Sequence, residues 1–320
     1  MKEIIINENE SGQRFDKYLF KYFKEAPASF IYKMLRKKNI VLNGKKSDGK
    51  DKLTVGDQIK IFMTDETINK FRGKYAVQRV TPVPMDIVYE DSNVLIVNKP
   101  SGILSQKADK NDISINEYIT SYLLESGQLS EEQLKTFKPA VCNRLDRNTS
   151  GLIVAGKSLK GLQMMSEMFK DRTMDKYYLA IVSGMIKEKI TIKGFLIKDT
   201  NSNKVFISEQ KMTDGRYIET EYEPLRYGKN ITLLKVKLIT GRAHQIRAHL
   251  ASVGTPLIGD YKYGNKKIND FYKEKYKIQN QMLHSWKLKF PVMDGDFEGL
   301  SQKEIKADIP ENFKIVMNEK

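Results

Sequence analysis

Two kinds of apolar spacing divide the chain, and the first is helical. Apolar residues recur every three or four positions over residues 15–23 and 30–35, which predicts two short amphipathic helices. An apolar run at residues 40–42 leads into Asn43-Gly44, a dipeptide typical of a tight turn between strands, and a final alternating stretch predicts another strand. We therefore predict a small domain over residues 1–64.

The second kind of spacing, beyond residue 84, is mostly that of strands. Residues 65–84 lack apolar periodicity and end in prolines, which indicates a flexible linker. The predicted strands cover residues 87–89, 94–97, 152–155, 176–182, 218–223, 231–238 and 282–290, and a predicted helix covers residues 159–169. The pattern predicts a larger, strand-rich domain over residues 85–320.

The composition of the chain indicates the kind of partner it binds and the compartment in which it works. The 320 residues include 55 Lys and Arg against 40 Asp and Glu, a net charge of +15, which is typical of a protein that binds a polyanion such as nucleic acid. No apolar run approaches the ~20 residues of a membrane span, and the polar, acidic start is unlike a signal peptide. The single cysteine, Cys142, excludes an internal disulfide and a cysteine-based metal cage. We expect a cytoplasmic protein with no membrane partner.

Basic residues cluster at two places in the small domain. They lie on the polar face of its second predicted helix and directly after its turn: Lys33, Arg36, Lys37, Lys38, Lys45 and Lys46. A charged helix face alone is as consistent with simple solvation as with ligand binding. The runs RFDKYL, SFIYKMLRKKNIVLNGK and LTVGDQIKI resemble the S-four-type RNA-binding domain, whose second helix and following turn lie against RNA. The resemblance implies that these six residues contact RNA.

The segment NRLDRNTSG, residues 143–151, is the first candidate for chemistry. It holds Asp146 between Arg144 and Arg147, and positive charge on both sides of a carboxylate favours its ionised form. The same spacing is also consistent with an ordinary surface ion pair. The residues by themselves leave both interpretations open.

A second polar cluster is GRAHQIRAHL, residues 241–250, which follows a predicted strand and enters a helix. His244 and Arg247 are three residues apart, so they share a helix face. His244 and His249 are five apart and lack the i, i+4 spacing of a zinc-binding pair. The third histidine, His284, lies in a predicted strand, where a hydrogen-bonded core position explains it. We therefore expect no metal site.

Together these motifs resemble the RluA/RluC family of RNA pseudouridine synthases. That family carries HRLDxxTSG, KxYxAxVxG, GRxHQIRxH and LHAxxLxFxHP in this order; the chain has NRLDRNTSG, KYYLAIVSG (176–184), GRAHQIRAH and LHSWKLKFP (283–291). The stretch YEDSNVLIVNKPSGI, residues 89–103, is similar to the family's first motif. The resemblance spans residues 85–291 and implies an α+β domain on a mixed, largely antiparallel sheet, with the active site in a basic cleft.

The resemblance also implies roles for individual residues. Asp146 matches the family's catalytic aspartate, Tyr178 the tyrosine that packs against the target base, and Arg247 the arginine that pairs with the aspartate. Arg144 matches an arginine that fills the space left by a flipped nucleotide, since a stacked uridine must leave the RNA helix to react.

Four more residues are assigned from the same motifs. We expect Arg147 to bind RNA, and Asn143, His244 and Gln245 to support the catalytic residues. Asn143 stands where the family usually has histidine, and Ser285 replaces a frequent alanine. Asparagine can donate and accept hydrogen bonds as histidine does, so we expect the first change to be tolerated.

The implied reaction isomerises uridine to pseudouridine and needs no cofactor, metal or energy source. The segment after Asp146 is closest to RluC-type enzymes, which implies large-subunit ribosomal RNA, or its precursor, as the substrate of a monomeric enzyme. The competing interpretations are a non-catalytic S-four-type ribosome-associated factor, a synthase of the same family acting on transfer RNA, and a methyltransferase. Retention of Asp146, Tyr178 and Arg247 argues against the first, and the chain has no GxGxxG loop for the third.

Overall fold

The amino-terminal part of the chain is a small three-stranded sheet with helices packed on it. The computed structural model describes residues 1–73, 80, 85–199 and 204–318. The first of these ranges, which we call the small unit, contains β1 (Lys2–Ile5), α1 (Phe15–Tyr22), α2 (Ala28–Arg36), β2 (Ile40–Leu42), β3 (Gln58–Ile61) and α3 (Asp65–Arg72). Its strands pair antiparallel in the order β1-β3-β2. The predicted turn is confirmed, since Asn43 and Gly44 both have positive φ.

The structure differs from the expected linker at residues 65–72. These residues form α3, whose N-terminus is capped by the Thr64 side chain. Ile68 is buried in the core of the small unit, and the Phe71 ring lies 4.2 Å from the Phe30 ring. Because Ile68 and Phe71 are three apart, one face of a short helix buries both, yet one such pair is too short to show as periodicity. Residues 74–79 and 81–84 of the expected linker lie outside the described residues.

Polar contacts join the small unit to the remainder of the chain. Arg72, in the last turn of α3, forms an ion pair with Glu132. The Thr136 hydroxyl donates to Glu10 Oε1 at 2.6 Å, and both of these residues are buried. The small unit therefore packs against residues 132–136 of the larger part.

The larger part is built on one sheet with helices on both sides. Its strands are β4 (Asp86–Glu90), β5 (Val94–Lys99), β6 (Ala140–Val141), β7 (Ser150–Gly156), β8 (Asp175–Ser183), β9 (Ile190–Lys198), β10 (Val205–Ser208), β11 (Arg216–Gly228), β12 (Ile231–Leu238), β13 (Leu283–Lys289) and β14 (Glu304–Lys306). Its helices are α4 (Ile115–Glu125), α5 (Leu159–Asp171), α6 (Gln245–Ser252), α7 (Lys266–Tyr276) and α8 (Glu311–Met317). All seven strand segments and the helix predicted for this part coincide with these elements.

The order of the strands confirms the expected α+β class. The sheet runs β10-β9-β11-β12-β8-β13-β7-β5-β4, with β14 paired to β13 and β6 paired to β7. Among the described residues only β13 and β7 pair in parallel, and every other pair is antiparallel. The sheet is thus mixed and largely antiparallel, and its parallel pair lies directly beside the NRLDRNTSG segment.

The two faces of the sheet carry separate apolar cores. One core joins α4 and α6 to the middle strands through residues such as Ile119, Tyr222 and Ile246. The opposite face packs α5, α7 and α8 through residues such as Met165 and Phe313. No helix within the described ranges is long and apolar enough to span a membrane.

Candidate active site

The loop that carries Asp146 lies between β6 and β7 and is fixed at its carboxyl end by a glycine. Gly151 ends the motif with φ +111, a conformation that side-chain-bearing residues rarely adopt. A Cβ on this residue would lie 2.2 Å from the Ser285 carbonyl oxygen of β13. Only glycine allows β7 to approach β13 this closely, and the close pairing places the Asp146 loop at the ends of these two strands.

Residues 99–105 bracket the other side of the loop. The buried Lys99 ammonium donates to the carbonyl oxygens of Pro100, Ile103 and Arg147 at 2.8, 2.9 and 3.2 Å. Burial lowers the pKa of Lys99 to about 8, and the nearby Asp146 charge opposes that shift. The Ser105 hydroxyl accepts from Leu145 N at 2.9 Å and donates to Leu145 O at 2.7 Å. The backbone on both sides of Asp146 is therefore hydrogen-bonded to this bracket.

Helix α6 is anchored beside the loop by Gln245. Its amide is buried, accepts from the Thr240 hydroxyl at 2.9 Å and donates to the Thr220 hydroxyl at 2.9 Å. The helix begins at Gln245, one residue later than a shared helical face for His244 and Arg247 requires, and His244 precedes it with φ 56. Both side chains nevertheless reach Asp146.

Arg247 lies between two carboxylates. Its Nη1 donates to Asp146 Oδ2 at 2.8 Å, while Nε and Nη2 donate to the two oxygens of Asp260 at 2.7 and 2.9 Å. Burial by itself lowers the pKa of Arg247, but the hydrogen bonds and charge of Asp260 and Asp146 outweigh it and raise that pKa. Asp260 is 1% exposed and Asp146 retains 25% side-chain exposure, so the guanidinium links a buried anchor to an accessible acid.

His244 and Tyr263 complete this side of the site. The His244 Nδ1 atom lies 2.8 Å from the Tyr263 hydroxyl oxygen, and its Nε2 atom lies 3.9 Å from Asp146 Oδ2. The Tyr263 ring also lies 5.2 Å from the Arg247 guanidinium. Burial lowers the pKa of His244, and the positive charge of Arg247 acts in the same direction while Asp146 opposes it. His244 is thus a neutral imidazole at neutral pH.

Tyr178 lies on β8, opposite Ser285 of β13. Its ring belongs to the apolar core that also contains Leu145 and Ile246, the neighbours in sequence of Asp146 and Arg247. Burial raises the pKa of Tyr178 to about 12, Asp146 raises it further, and a hydrogen bond with Ser285 acts in the opposite direction. The tyrosine therefore keeps its proton at physiological pH. The serine that replaces the frequent alanine supplies the hydroxyl for that hydrogen bond.

The other residues of the NRLDRNTSG motif have distinct environments. Asn143 donates to Leu152 O at 3.2 Å and accepts from Val154 N at 2.8 Å, so it fastens the motif to β7. Arg144 and Arg147 are exposed, and Arg147 Nε donates to Gly102 O at 3.0 Å. Arg144 is therefore presented to solvent, and Arg147 is partly engaged by the bracket.

The six basic residues of the small unit lie on other elements than the residues around Asp146. All six are exposed, on α2, at its end and after the turn that follows β2. Asp146, Tyr178 and Arg247, by contrast, are brought together from a loop, a strand and a helix. In the described part of the chain, no group of three or more His, Cys, Asp or Glu is placed to hold a metal ion.

Three residues of the site were not predicted: Asp260, Tyr263 and Ser105. Asp260 and Tyr263 both lie in GDYKYG, residues 259–264, between two predicted elements. An acid and an aromatic residue in a glycine-bounded turn are a signal for a structured loop, but spacing does not reveal their partners. Ser105 carries no sequence signal that distinguishes it from other loop serines.

Comparison with known proteins agrees with this geometry. The family model for RNA pseudouridylate synthase matches residues 93–252. The chain is 30% identical to the ribosomal large subunit pseudouridine synthase D of Borreliella burgdorferi over 99% of this chain and 92% of that protein. It is 32% identical to the ribosomal large subunit pseudouridine synthase C of Haemophilus influenzae over 91% of this chain and 87% of that protein.

A solved structure supports the fold. Human RNA pseudouridylate synthase domain containing 4 superposes with a TM-score of 0.56 at 20% identity, covering 71% of this chain and 90% of that one. The chain belongs to the RNA pseudouridylate synthase family. It is an enzyme that isomerises uridine in RNA to pseudouridine, as the motifs of the sequence implied.

Proposed function

We propose that Asp146 is the catalytic residue of this synthase and that large-subunit ribosomal RNA, or its precursor, is the substrate. The observation that carries the first part is the 2.8 Å bond from Arg247 Nη1 to one oxygen of an Asp146 carboxylate that remains accessible. A carboxylate so paired is held in place where RNA can reach it.

The reaction breaks the bond from ribose C1′ to uracil N1, turns the base and joins C1′ to C5. The proton on C5 leaves, and N1 gains one, so the reaction is balanced without an oxidant or reductant. An ionised carboxylate can attack the nucleoside covalently or accept a proton. Asp146 supplies that group, and Arg247 holds it through the separate anchor of Asp260.

Tyr178 and Arg144 act on the base and on the RNA. Tyr178 offers an aromatic face and a protonated hydroxyl beside Asp146, which suits a group that packs against a detached uracil. Arg144 is exposed two residues before Asp146, where a guanidinium can occupy the gap left by the flipped nucleotide. Arg147, Asn143, His244 and Gln245 support the loop and the helix that carry the reacting groups.

The RNA target is supported by the relatives and by the charge of the small unit. The relatives of B. burgdorferi and H. influenzae are named for the large ribosomal subunit. Six exposed basic residues on one small unit and a net charge of +15 suit a large folded RNA. We place the enzyme in the cytoplasm, where it acts on ribosomal RNA as a monomer without a cofactor.

Chemical mapping of pseudouridines tests the target. Ribosomal and transfer RNA from wild-type cells and from cells lacking this gene are mapped side by side, and the deletion is complemented with wild type or with Asp146→Asn. We expect discrete large-subunit positions to lose pseudouridine, to regain it with wild type and not with Asp146→Asn. Loss confined to transfer RNA would contradict the proposed substrate, and rescue by Asp146→Asn would contradict the proposed catalytic residue.

A further inference from the structure

A chain of polar contacts runs from the edge of the sheet to the Asp146 site. The amide of Val205, the first residue of β10, donates to the Tyr263 hydroxyl oxygen at 3.0 Å. That oxygen lies 2.8 Å from His244 Nδ1, and His244 Nε2 lies 3.9 Å from Asp146 Oδ2. Three groups, from Val205, Tyr263 and His244, thus lead to one carboxylate oxygen of Asp146.

Donor and acceptor counting limits where the protons in this chain can lie. The Val205 amide has only a hydrogen to give, so the Tyr263 oxygen accepts from it and still has one phenolic hydrogen to donate. Burial raises the pKa of Tyr263, which keeps that hydrogen on the phenol. A neutral imidazole carries one N–H, so a phenol that donates to Nδ1 leaves the hydrogen of His244 on Nε2.

The opposite arrangement is unfavourable. With the hydrogen on Nδ1, the bare lone pair of Nε2 would face the Asp146 carboxylate at 3.9 Å, two acceptors directed at each other. With the hydrogen on Nε2, a donor faces that carboxylate instead.

We propose that Tyr263 is a positioning residue that holds His244 in the Nε2–H tautomer, so that His244 becomes a neutral second donor to Asp146 Oδ2 beside Arg247. This inference rests on the proposed role of Asp146. The 3.9 Å separation is longer than a hydrogen bond and closes when RNA fills the site, since catalytic hydrogen bonds are often long before substrate binds.

The arrangement distinguishes the two oxygens of Asp146. Arg247 Nη1 and His244 Nε2 both face Oδ2. Oδ1 is then the oxygen directed to the nucleoside. A neutral donor also orients the carboxylate without adding a second positive charge that would reduce its reactivity.

Nuclear magnetic resonance of the histidine side chains reads the tautomer directly. The chain has three histidines, and His249 and His284 are buried, so three ring systems are to be assigned. In ¹⁵N-labelled wild type at pH 7.5 we expect His244 to show a protonated Nε2 and a hydrogen-bonded, unprotonated Nδ1. In Tyr263→Phe the Nδ1 resonance should move to that of a free acceptor, whereas in Tyr261→Phe it should stay in place.

Tyr261 provides the matched control because its exposed hydroxyl bonds to Asp270, away from the site. A protonated Nδ1 in wild type would overturn the proposal, because Tyr263 would then be only an acceptor. This measurement does not depend on activity, so it stands or falls separately from the role of Asp146.

A double-mutant cycle tests the consequence for the reaction. Tyr263→Phe should lower kcat by about 3- to 10-fold, the worth of one hydrogen bond, with KM little changed. In a His244→Ala background the same change should have almost no further effect, since Tyr263 acts through His244. Equal losses in both backgrounds, or a change in KM alone, would overturn the proposal.

Discussion

Positive charge is arranged in opposite ways at the Asp146 site and on the small unit. At the site, Arg247 is nearly buried and three of its nitrogens bond to two carboxylates. On the small unit, all six basic residues on α2, at its end and after the turn that follows β2 are exposed. The first arrangement fixes one guanidinium in place through several hydrogen bonds, and the second leaves long side chains exposed to solvent.

The difference fits the two tasks that we propose, catalysis at Asp146 and RNA binding by the small unit, because these tasks make different physical demands. The chemistry proposed for Asp146 needs a fixed carboxylate in a partly dry site, where a misplaced group is costly. Attraction of RNA phosphates acts over about 10 Å at 0.1 M salt and needs no fixed geometry. Substitutions at the site should therefore reduce activity strongly at any salt concentration. Substitutions on the small unit should have small effects that depend on salt.

Removing the arginine of the site should have the largest effect. Arg247→Ala leaves Asp146 without its hydrogen bond and Asp260 buried without a counter-charge, so we expect kcat to fall by about 10³-fold. Single-turnover assays at saturating RNA measure this loss, and Arg247→Lys, which keeps the charge but not the fork, should recover part of it. Full activity in Arg247→Ala would remove the distinction between the two regions.

Acid should destabilise the larger part through its buried histidines, a group that the small unit lacks. His249 bonds to Thr220 and His284 to Ser150, both histidines are 0% exposed, and burial lowers the pKa of each from 6.5 to about 4. The unfolded chain therefore takes up protons first, and stability that is complete above pH 6.5 is lost as the pH falls toward 4. The loss is on the order of 3 kcal/mol for each histidine.

Calorimetry of the full-length protein between pH 7.5 and 4.5 checks this slope. A His284→Gln variant should be less stable at pH 7.5 but should lose less stability on acidification. An identical slope in wild type and variant would show that His284 does not drive the acid effect.

Substitution of Asp260, the buried acid that holds Arg247, should have the next largest effect. Asp260→Asn keeps the size of the side chain but loses the charge. The amide NH₂ of asparagine would then face an N–H of Arg247, so one of the two hydrogen bonds to the arginine is lost. We expect kcat to fall by about 10- to 100-fold, as for other residues that orient a functional group. Asp270→Asn is the matched control, because Asp270 pairs on the surface with Lys266. If the two variants lost the same activity, the bonds from Asp260 would not be needed to orient Arg247.

The smallest effect should come from the basic surface. Lys37→Gln with Lys38→Gln should weaken RNA binding about 3- to 10-fold at 0.1 M salt and leave kcat unchanged at saturation. With a single-stranded RNA, each lost phosphate contact should reduce the slope of log affinity against log salt by about 0.7. Lys50→Gln, also exposed but beside Asp48, serves as the control. An unchanged slope would exclude Lys37 and Lys38, at the end of α2, from the RNA interface.

Local pattern and motif resemblance reached the fold class and the residues that touch Asp146. The strands of the larger part have alternating apolar and polar residues or form apolar runs, so each strand could be predicted from its own segment. The contact between Asp146 and Arg247, which are 101 residues apart, could not be predicted from spacing. Its prediction came from the resemblance to the family motifs. The alternation of β9 was also present in the sequence, at Ile190, Ile192 and Leu196, but was not recognised.

What could not be predicted depends on long-range packing. Asp260 is one of 40 acidic residues, and its importance follows only from the approach of its loop to α6. Ser105 and Tyr263 act through single hydroxyls whose partners are 40 and 19 residues away. α3 was missed because burial of Ile68 and Phe71 depends on the core of the small unit.

Release of tritium from RNA labelled at uracil C5 tests the central claim most directly. Asp146→Asn has nearly the same size as the wild-type side chain but is neither a nucleophile nor a base, so it separates reactivity from packing. We predict that the purified variant, with wild-type circular dichroism and wild-type RNA affinity, releases no tritium above background in a single turnover while the wild type releases it fully. Release by Asp146→Asn at the wild-type rate would contradict the assignment of Asp146 as the catalytic residue.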